Sequence, residues 1–328
     1  MPAKRDQQRT KAYTALLAVA IIWGVTTPVI KYALKMVGPF TLLFFRLTLA
    51  SAFILPFLWL EQKRQHFKVT GKQILTLAAL GTLATTVTLS LFFLGFEYTT
   101  ALDGAVISII APILIVLGGA IFLKENITKQ EWLGTSLAIV GSLTIALEPV
   151  FSGRYGAESQ LRLWGNLLII LANFSWVAYT LLSKKINGRH VPTLIQTGIS
   201  FAAGSITSLP LAIWEQQRFW AQGKSLAILT LSFKPWLAII YLAIFSSVLA
   251  YFLYEWSLKK IEASEATIFS YLQPIFTLPA AYLILGEWTN SPFFWVGCLL
   301  ATVGVTITEW RWKSRQKKKS SESCPRFL

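Results

Sequence analysis

A glutamate stands well inside an apolar stretch of this chain: Glu255, in SSVLAYFLYEWSLKK. A carboxylate in hydrocarbon costs about 2.5–3.5 kcal/mol on insertion scales, so such a group usually faces a cavity and has a task there. Helical geometry stacks positions four and eight residues apart, which puts Ser247 and Tyr251 on the face of Glu255, with Tyr254 beside it. The chemistry this offers is that of a coupling or substrate-binding carboxylate that takes up and releases a proton. The alternative is a carboxylate near the inner interface, paired with Lys259 one turn on. Arg46, in LLFFRLTLA, is the opposite charge in a similar setting. Its planar guanidinium suits two-point recognition of a substrate carboxylate. Otherwise it snorkels, or pairs with Glu97 or Asp103, two acids expected to face loops at the outer ends of their spans.

Two further groups of residues have the spacing of a binding site. Thr267, Ser270, Tyr271 and Pro274 make one polar helical face that ends at a proline, with Gln273 beside it; Gly104, Ser108 and Pro112 make a similar set earlier in the chain. A proline leaves the carbonyl four residues before it without its helical partner, free to bind something else. Trp23 is followed four residues on by Thr27, and Trp176 by Thr180, with Asn173 three before. These read either as aromatic walls with polar neighbours or as interfacial tryptophan belts. Trp59, Trp214, Trp236, Trp288, Trp295, Trp310 and Trp312, near the ends of apolar runs, read as belt.

Other chemistries lack their residues. There is no Walker loop for ATP, no Ser–His–acid set and no HExxH. His66 and His190 stand apart, and Cys298 and Cys324 do not cluster, so neither a metal, a cofactor nor a disulfide framework is expected.

The elements that position these residues follow from composition. The chain is 54% hydrophobic and only 14% charged, against about 25% charged in a soluble domain. The solvent is therefore a lipid bilayer. Lipid offers no partner to backbone N–H and C=O groups, so only helices or a closed barrel can cross. The apolar runs are long and do not alternate in polarity as barrel strands do. Ten helical spans are predicted: 12–31, 40–60, 73–96, 101–123, 130–149, 163–183, 192–214, 236–258, 264–285 and 291–310. The run at the N-terminus reads as a retained first span, since it lacks a small-residue cleavage site and Trp23, Pro28 and Lys31 follow.

The formal net charge of +15 fits a membrane topology better than nucleic acid, because no stacking aromatics interleave the basic tail. With a cytoplasmic N-terminus, the inner segments hold most of the lysines and arginines, including Lys63, Arg64, Lys184, Lys185, Lys259, Lys260 and the cluster after Arg311. The outer loops hold fewer, among them Lys35, Arg154 and Lys224. That is the positive-inside pattern, with both termini cytoplasmic. Reporter fusions in the 61–72 and 184–191 loops should therefore read cytoplasmic, and those in 150–162 and 215–235 external. A cytoplasmic signal from 150–162 would contradict the inverted arrangement derived next.

The chain repeats itself. TTALDGAVISIIAPILIVLGGAIFLKE (99–125) has its counterpart in IEASEATIFSYLQPIFTLPAAYLILGE (261–287), where Ala101, Ser108, Pro112 and Glu125 answer Ala263, Ser270, Pro274 and Glu287 at one offset. Trp132, Gly134 and Gly141 likewise answer Trp295, Gly297 and Gly304. Glycines seven apart on one face read as close helix packing, within the chain or between two copies, so monomer and homodimer both stand. Each repeat holds five spans, 12–149 and 161–310, followed by a basic tail over 311–328. An odd number of spans sends the second half into the membrane from the opposite side. The fold expected is an all-α membrane protein of two inverted five-helix repeats.

Several patterns together resemble the EamA-type members of the drug/metabolite transporter superfamily. They are WGVTTPVIK, the Ala-rich fourth span with Pro112 and the KENIT after it, SWVAYTLLSKK, AYFLYEWSLKKIEASEATIFSYLQPIF and the GEW closing the ninth span. The resemblance covers residues 12 to 310. It implies a central cavity lined by spans 1–4 and 6–9, with spans 5 and 10 peripheral, and transport of small metabolites such as amino acids, often outward. The partners expected are a small-molecule substrate, the plasma membrane (an inner membrane in a bacterium) and a proton or counter-solute. Rival readings are a nucleotide- or lipid-linked solute carrier of the same architecture, an intramembrane enzyme and a channel.

Overall fold

The computed structural model describes residues 2–65, 70–123, 129–151, 157–187, 191–221, 233–261, 269–270, 272–304 and 306–307. Among them every regular element is a helix. In chain order these are α1 (Pro2–Leu34), α2 (Pro39–Gln65), α3 (Gly71–Thr82), α4 (Thr88–Tyr98), α5 (Ala101–Ile107), α6 (Ile110–Leu123), α7 (Lys129–Ala146), α8 (Glu148–Phe151), α9 (Ala157–Asn187), α10 (Thr193–Ala221), α11 (Phe233–Tyr241), α12 (Ala250–Leu258) and α13 (Gln273–Leu285). The last is α14 (Pro292–Gly304). Tyr271, Thr267 and the tail from 308 lie outside the described residues.

Among the described residues, six stretches are long and apolar enough to cross a bilayer: Gln8–Leu34, Pro39–Glu61, Gly71–Tyr98, Ala157–Ser183, Thr193–Ala221 and Pro235–Leu258. Shorter apolar helices occupy Ala101–Ile115, Trp132–Ala146, Gln273–Leu285 and Pro292–Gly304. Each of the ten apolar runs of the sequence thus carries one of these helices. The halves do not sit side by side as separate bundles. The principal helix pairs are α2 with α10, α4 with α9, and α1 with both α12 and α13, so each joins one repeat to the other.

Proline positions set the local shape. Pro28 lies inside α1, and the carbonyl it frees, that of Gly24, accepts a hydrogen bond from Thr277 Oγ1 of α13 at 2.8 Å. Close approach at that crossing needs the glycine: a Cβ on Gly24 would lie 2.7 Å from Phe276 Cβ and 2.8 Å from the Gln273 carbonyl. In the matched spans the helix breaks just before each proline. α5 stops at Ile107 and α6 starts at Ile110, ahead of Pro112; Leu272 is a turn residue ahead of Pro274.

The third helix of each half is interrupted in a way the hydrophobic pattern does not report. A π-helical turn, Leu83–Val87, joins α3 to α4, and another, Leu242–Leu249, joins α11 to α12. Such bulges concentrate at functional sites. In both, a hydroxyl reaches the carbonyl five residues back, Thr88 Oγ1 to Leu83 and Ser247 Oγ to Leu242.

Carboxylates of the second half close helix ends of the first. Glu215 of α10 accepts from Phe40 N, Thr41 N and Thr41 Oγ1 at 3.1, 2.8 and 2.6 Å. Glu287 accepts from Ala101 N at 2.8 Å. Both satisfy N–H groups with no partner inside their own helix, at the end of the helix dipole that favours negative charge. Burial raises the pKa of Glu287, while the Ala101 N–H and the charge of Lys31 lower it.

Candidate functional site

A cavity of about 140 Å³ lies among the middle turns of these helices. That is roughly ten times what one water molecule needs. The sequence candidates Trp23, Thr27, Arg46, Ser108, Pro112, Asn173, Trp176, Tyr251, Ser270 and Gln273 all line it. They come from α1, α2, the α5–α6 break, α9, α12 and the start of α13, so both halves build the wall. Pro274 is adjacent, at the start of α13, but is not part of the lining. Residues the sequence did not single out also contribute: Thr26, Thr88, Phe92, Phe96 and Ser246.

One end of the cavity is an aromatic box. Trp23 meets Trp176 edge-on with ring centres 6.0 Å apart, and lies 5.6 Å from Tyr251 and 5.3 Å from Tyr254. Trp176 lies 5.8 and 5.9 Å from the same two tyrosines. Trp23 Nε1 donates to the Ser246 carbonyl at 3.1 Å, which the π-helical turn leaves available. The reading of Trp23 and Trp176 as cavity wall is therefore the arrangement seen. Trp59, Trp214 and Trp288, by contrast, are exposed on the outside of the bundle.

Arg46 is the cation of this wall. It is only 2% exposed. Its Nε donates to Ser247 Oγ at 2.8 Å and its Nη2 to Ser246 Oγ at 3.0 Å, while Nη1 has no hydrogen-bond partner among the described residues. The guanidinium carbon stands 5.7 Å from the centre of the Phe93 ring. The expectation that Glu97 or Asp103 pairs with Arg46 is not met. Asp103 is 1% exposed, not loop-facing, and binds Arg162 through both carboxylate oxygens at 2.7 and 3.0 Å. Arg162 also meets Glu148 at 2.6 Å. Arg162 thus bridges two buried carboxylates at the start of α9, and Arg46 has only hydroxyl hydrogen-bond partners among the described residues. Adjacent hydroxyl residues lie in both π-helical turns, Thr85-Thr86 in one half and Ser246-Ser247 in the other.

Glu255 is buried but does not line the cavity. Tyr179 Oη donates to its Oε1 at 2.8 Å and Gln196 Nε2 to its Oε2 at 3.3 Å. Neither partner stood out in the sequence, since both lie far from Glu255 in the chain. Lys259, the partner considered one turn on, donates instead to the Val191 carbonyl.

Bilayer-length helices closing around a small cavity of mixed aromatic and polar character define a membrane transporter. The chain belongs to the EamA-like transporter family, whose model matches it twice, over residues 10–147 and 163–310. An uncharacterized transporter of Archaeoglobus fulgidus is 27% identical over 300 residues, covering 91% of this chain and 97% of that protein. The uncharacterized transporter YyaM of Bacillus subtilis is 26% identical over 299 residues, covering 89% and 92%. One protein crystal structure superposes with a TM-score of 0.62 at 17% identity, over 93% of this chain and 98% of the other, which shows a shared fold. The protein is a multi-pass membrane transporter, and its family and relatives carry the names of transporters, not of enzymes.

Proposed function

We propose that the chain is a secondary transporter for a small amphipathic solute carrying a carboxylate, of which amino acids are the fitting class. The observation that carries this is Arg46, a buried guanidinium on the cavity wall that, among the described residues, has no acid beside it and leaves Nη1 without a hydrogen-bond partner. A buried cation without a counter-charge is costly, and a carboxylate in the cavity would supply both the charge and the missing acceptor. Trp23, Trp176 and Phe92 offer the apolar part of the solute a surface. Asn173 Nδ2 is used by the Ile169 carbonyl at 2.8 Å, leaving Oδ1 as an acceptor on the same wall as Ser270 and Gln273. The cavity is smaller than the roughly 300–1,000 Å³ of drug-sized pockets, which favours a solute of amino-acid size over a nucleotide- or lipid-linked one. Alternating access is the mechanism this construction supports: the two halves both build the wall, and rocking one against the other would expose the site to each side in turn. Export across the plasma membrane, with both termini cytoplasmic, is the direction and placement that the family resemblance and the basic inner loops support.

The test combines transport and accessibility. Proteoliposomes should exchange labelled amino acids in counterflow, and amides of the same compounds, which lack the carboxylate, should compete poorly. In a Cys298→Ala, Cys324→Ala background, cysteines at Ser108 and Ser270 should react with a small aqueous thiol reagent, and an exchanged solute should slow that reaction. Cysteines at Leu137 in α7 and Leu300 in α14 should resist it, because a thiol in lipid or packed helix stays protonated and inaccessible. Equal labelling of both pairs would place the cavity elsewhere.

A further inference from the structure

One buried charge is left over by the solute cavity. The Glu255 carboxylate is 6% exposed, and no lysine or arginine forms an ion pair with it among the described residues. The rings of Trp23, Trp176, Tyr251 and Tyr254 line the cavity, and Glu255 is not part of that lining. The titratable groups around it are Tyr179 from α9, Tyr251 and Tyr254 from its own helix, and Lys259 just past the end of that helix. α10 contributes Gln196, which is neutral, and α1 packs there through apolar Leu16 and Val19. Hydrogen bonds from two neutral donors repay only part of the cost of burying a carboxylate. A proton removes that cost outright.

The partners suit both states of the group. Tyr179 can donate to a carboxylate oxygen or to the carbonyl oxygen of the acid. Gln196 donates through Nε2 to the carboxylate; with its amide turned over, Oε1 accepts from the O–H of the acid. Ser183 Oγ, 2.9 Å from Gln196 Nε2, can accept from or donate to that amide in either orientation. The site also touches the cavity wall without opening into it. Tyr179, which holds Glu255, lies 5.3 Å from the ring of Trp176, and Trp176 lines the cavity.

We propose that Glu255, positioned by Tyr179 and Gln196, is a proton-binding site outside the lining of the solute cavity, joined to that lining through the Tyr179–Trp176 contact. Binding is a simple association: a carboxylate oxygen takes the proton and the group becomes a neutral acid. The consequence for transport, that solute and proton are coupled through the Trp176–Tyr179 contact, rests on the function proposed above. The proton site itself does not.

Infrared difference spectra of the full chain in lipid nanodiscs, recorded on acidification with no solute present, test the site. The wild type should show the carbonyl stretch of a buried carboxylic acid growing as the pH falls. Glu255→Gln should lose that band, and Glu255→Asp should restore a titrating band at a changed frequency. Tyr179→Phe, which removes one donor, should shift the band without abolishing it. That variant keeps the test decisive if Glu255→Gln does not fold. A purely structural role for Tyr179 would leave the frequency unmoved. Identical titrations of wild type and Glu255→Gln, or an unmoved band in Tyr179→Phe, would overturn the proposal. Failure of the amino-acid counterflow assay would remove the substrate reading and leave this result standing.

Discussion

Arg46→Met is expected to weaken binding of a carboxylate solute by roughly a hundredfold or more. A hydrogen bond to a charged group contributes about 1.5–3 kcal/mol, and loss of one partner of a buried ion pair costs about 3–5 kcal/mol. The same substitution should not lower the melting temperature, because it removes a buried charge whose hydrogen-bond partners among the described residues are hydroxyls alone. Ser247 keeps its bond to the Leu242 carbonyl at 2.9 Å, so it is not stranded. Arg46→Lys separates charge from geometry. An ammonium is a point charge and cannot reach Ser246, Ser247 and the solute with a planar fork. An intermediate loss, about tenfold, is expected. The measurement is the concentration dependence of counterflow, with the carboxylate and its amide compared in each variant. The amide should be nearly indifferent to Arg46→Met. Equal loss for both compounds would make Arg46 a structural residue, and an unchanged carboxylate affinity would remove it from the site.

Gly141→Leu is the second substitution expected to act strongly, on stability instead of affinity. The sequence left its glycine faces open to packing within one chain or between two. In the structure they meet each other across α7 and α14. A Cβ on Gly141 would lie 2.5 Å from Ala301 N and 2.5 Å from the Gly297 carbonyl, and one on Gly297 would lie 2.7 Å from the Gly141 carbonyl. These neighbours are backbone, so no side chain can swing aside. The helices must separate, and small-residue packing of this kind is what holds helices together in lipid. Overpacking costs about 1–3 kcal/mol and sometimes more. Thermal melts in detergent should fall in the order parent, Gly141→Ala, Gly141→Leu, with the leucine variant losing its single gel-filtration peak. Gly71→Ala is the control, since nothing lies within 4 Å of a Cβ there. A Gly141→Leu protein that melts with the parent would mean that α7 and α14 are not in contact.

What the sequence by itself determined concerns single helices and their faces. Sparse charge in long apolar runs makes the bilayer the solvent, and lipid then demands helices. Proline cannot donate a hydrogen bond, so breaks near Pro112 and Pro274 and a free Gly24 carbonyl below Pro28 follow from the residue alone. Arg46, Trp23, Trp176, Ser108 and Ser270 stand out in the sequence as candidates because a polar or aromatic group inside a span needs a reason to be there, with snorkelling, belt or packing as the alternatives; the fold brings all five to one cavity. The tertiary structure decided which group answers which. Arg46 finds Ser246 and Ser247, some two hundred positions away, because the π-helical turn that carries both packs against α2. Asp103 is taken by Arg162, and Glu255 is held outside the cavity lining by Tyr179 and Gln196. Helical periodicity fixes the face a residue occupies on its own helix. It carries no information about which helix of the other half covers that face. That is set by the crossings of α1, α2 and α4 with α9, α10, α12 and α13, and those depend on glycines, prolines and widened turns acting together across the whole bundle.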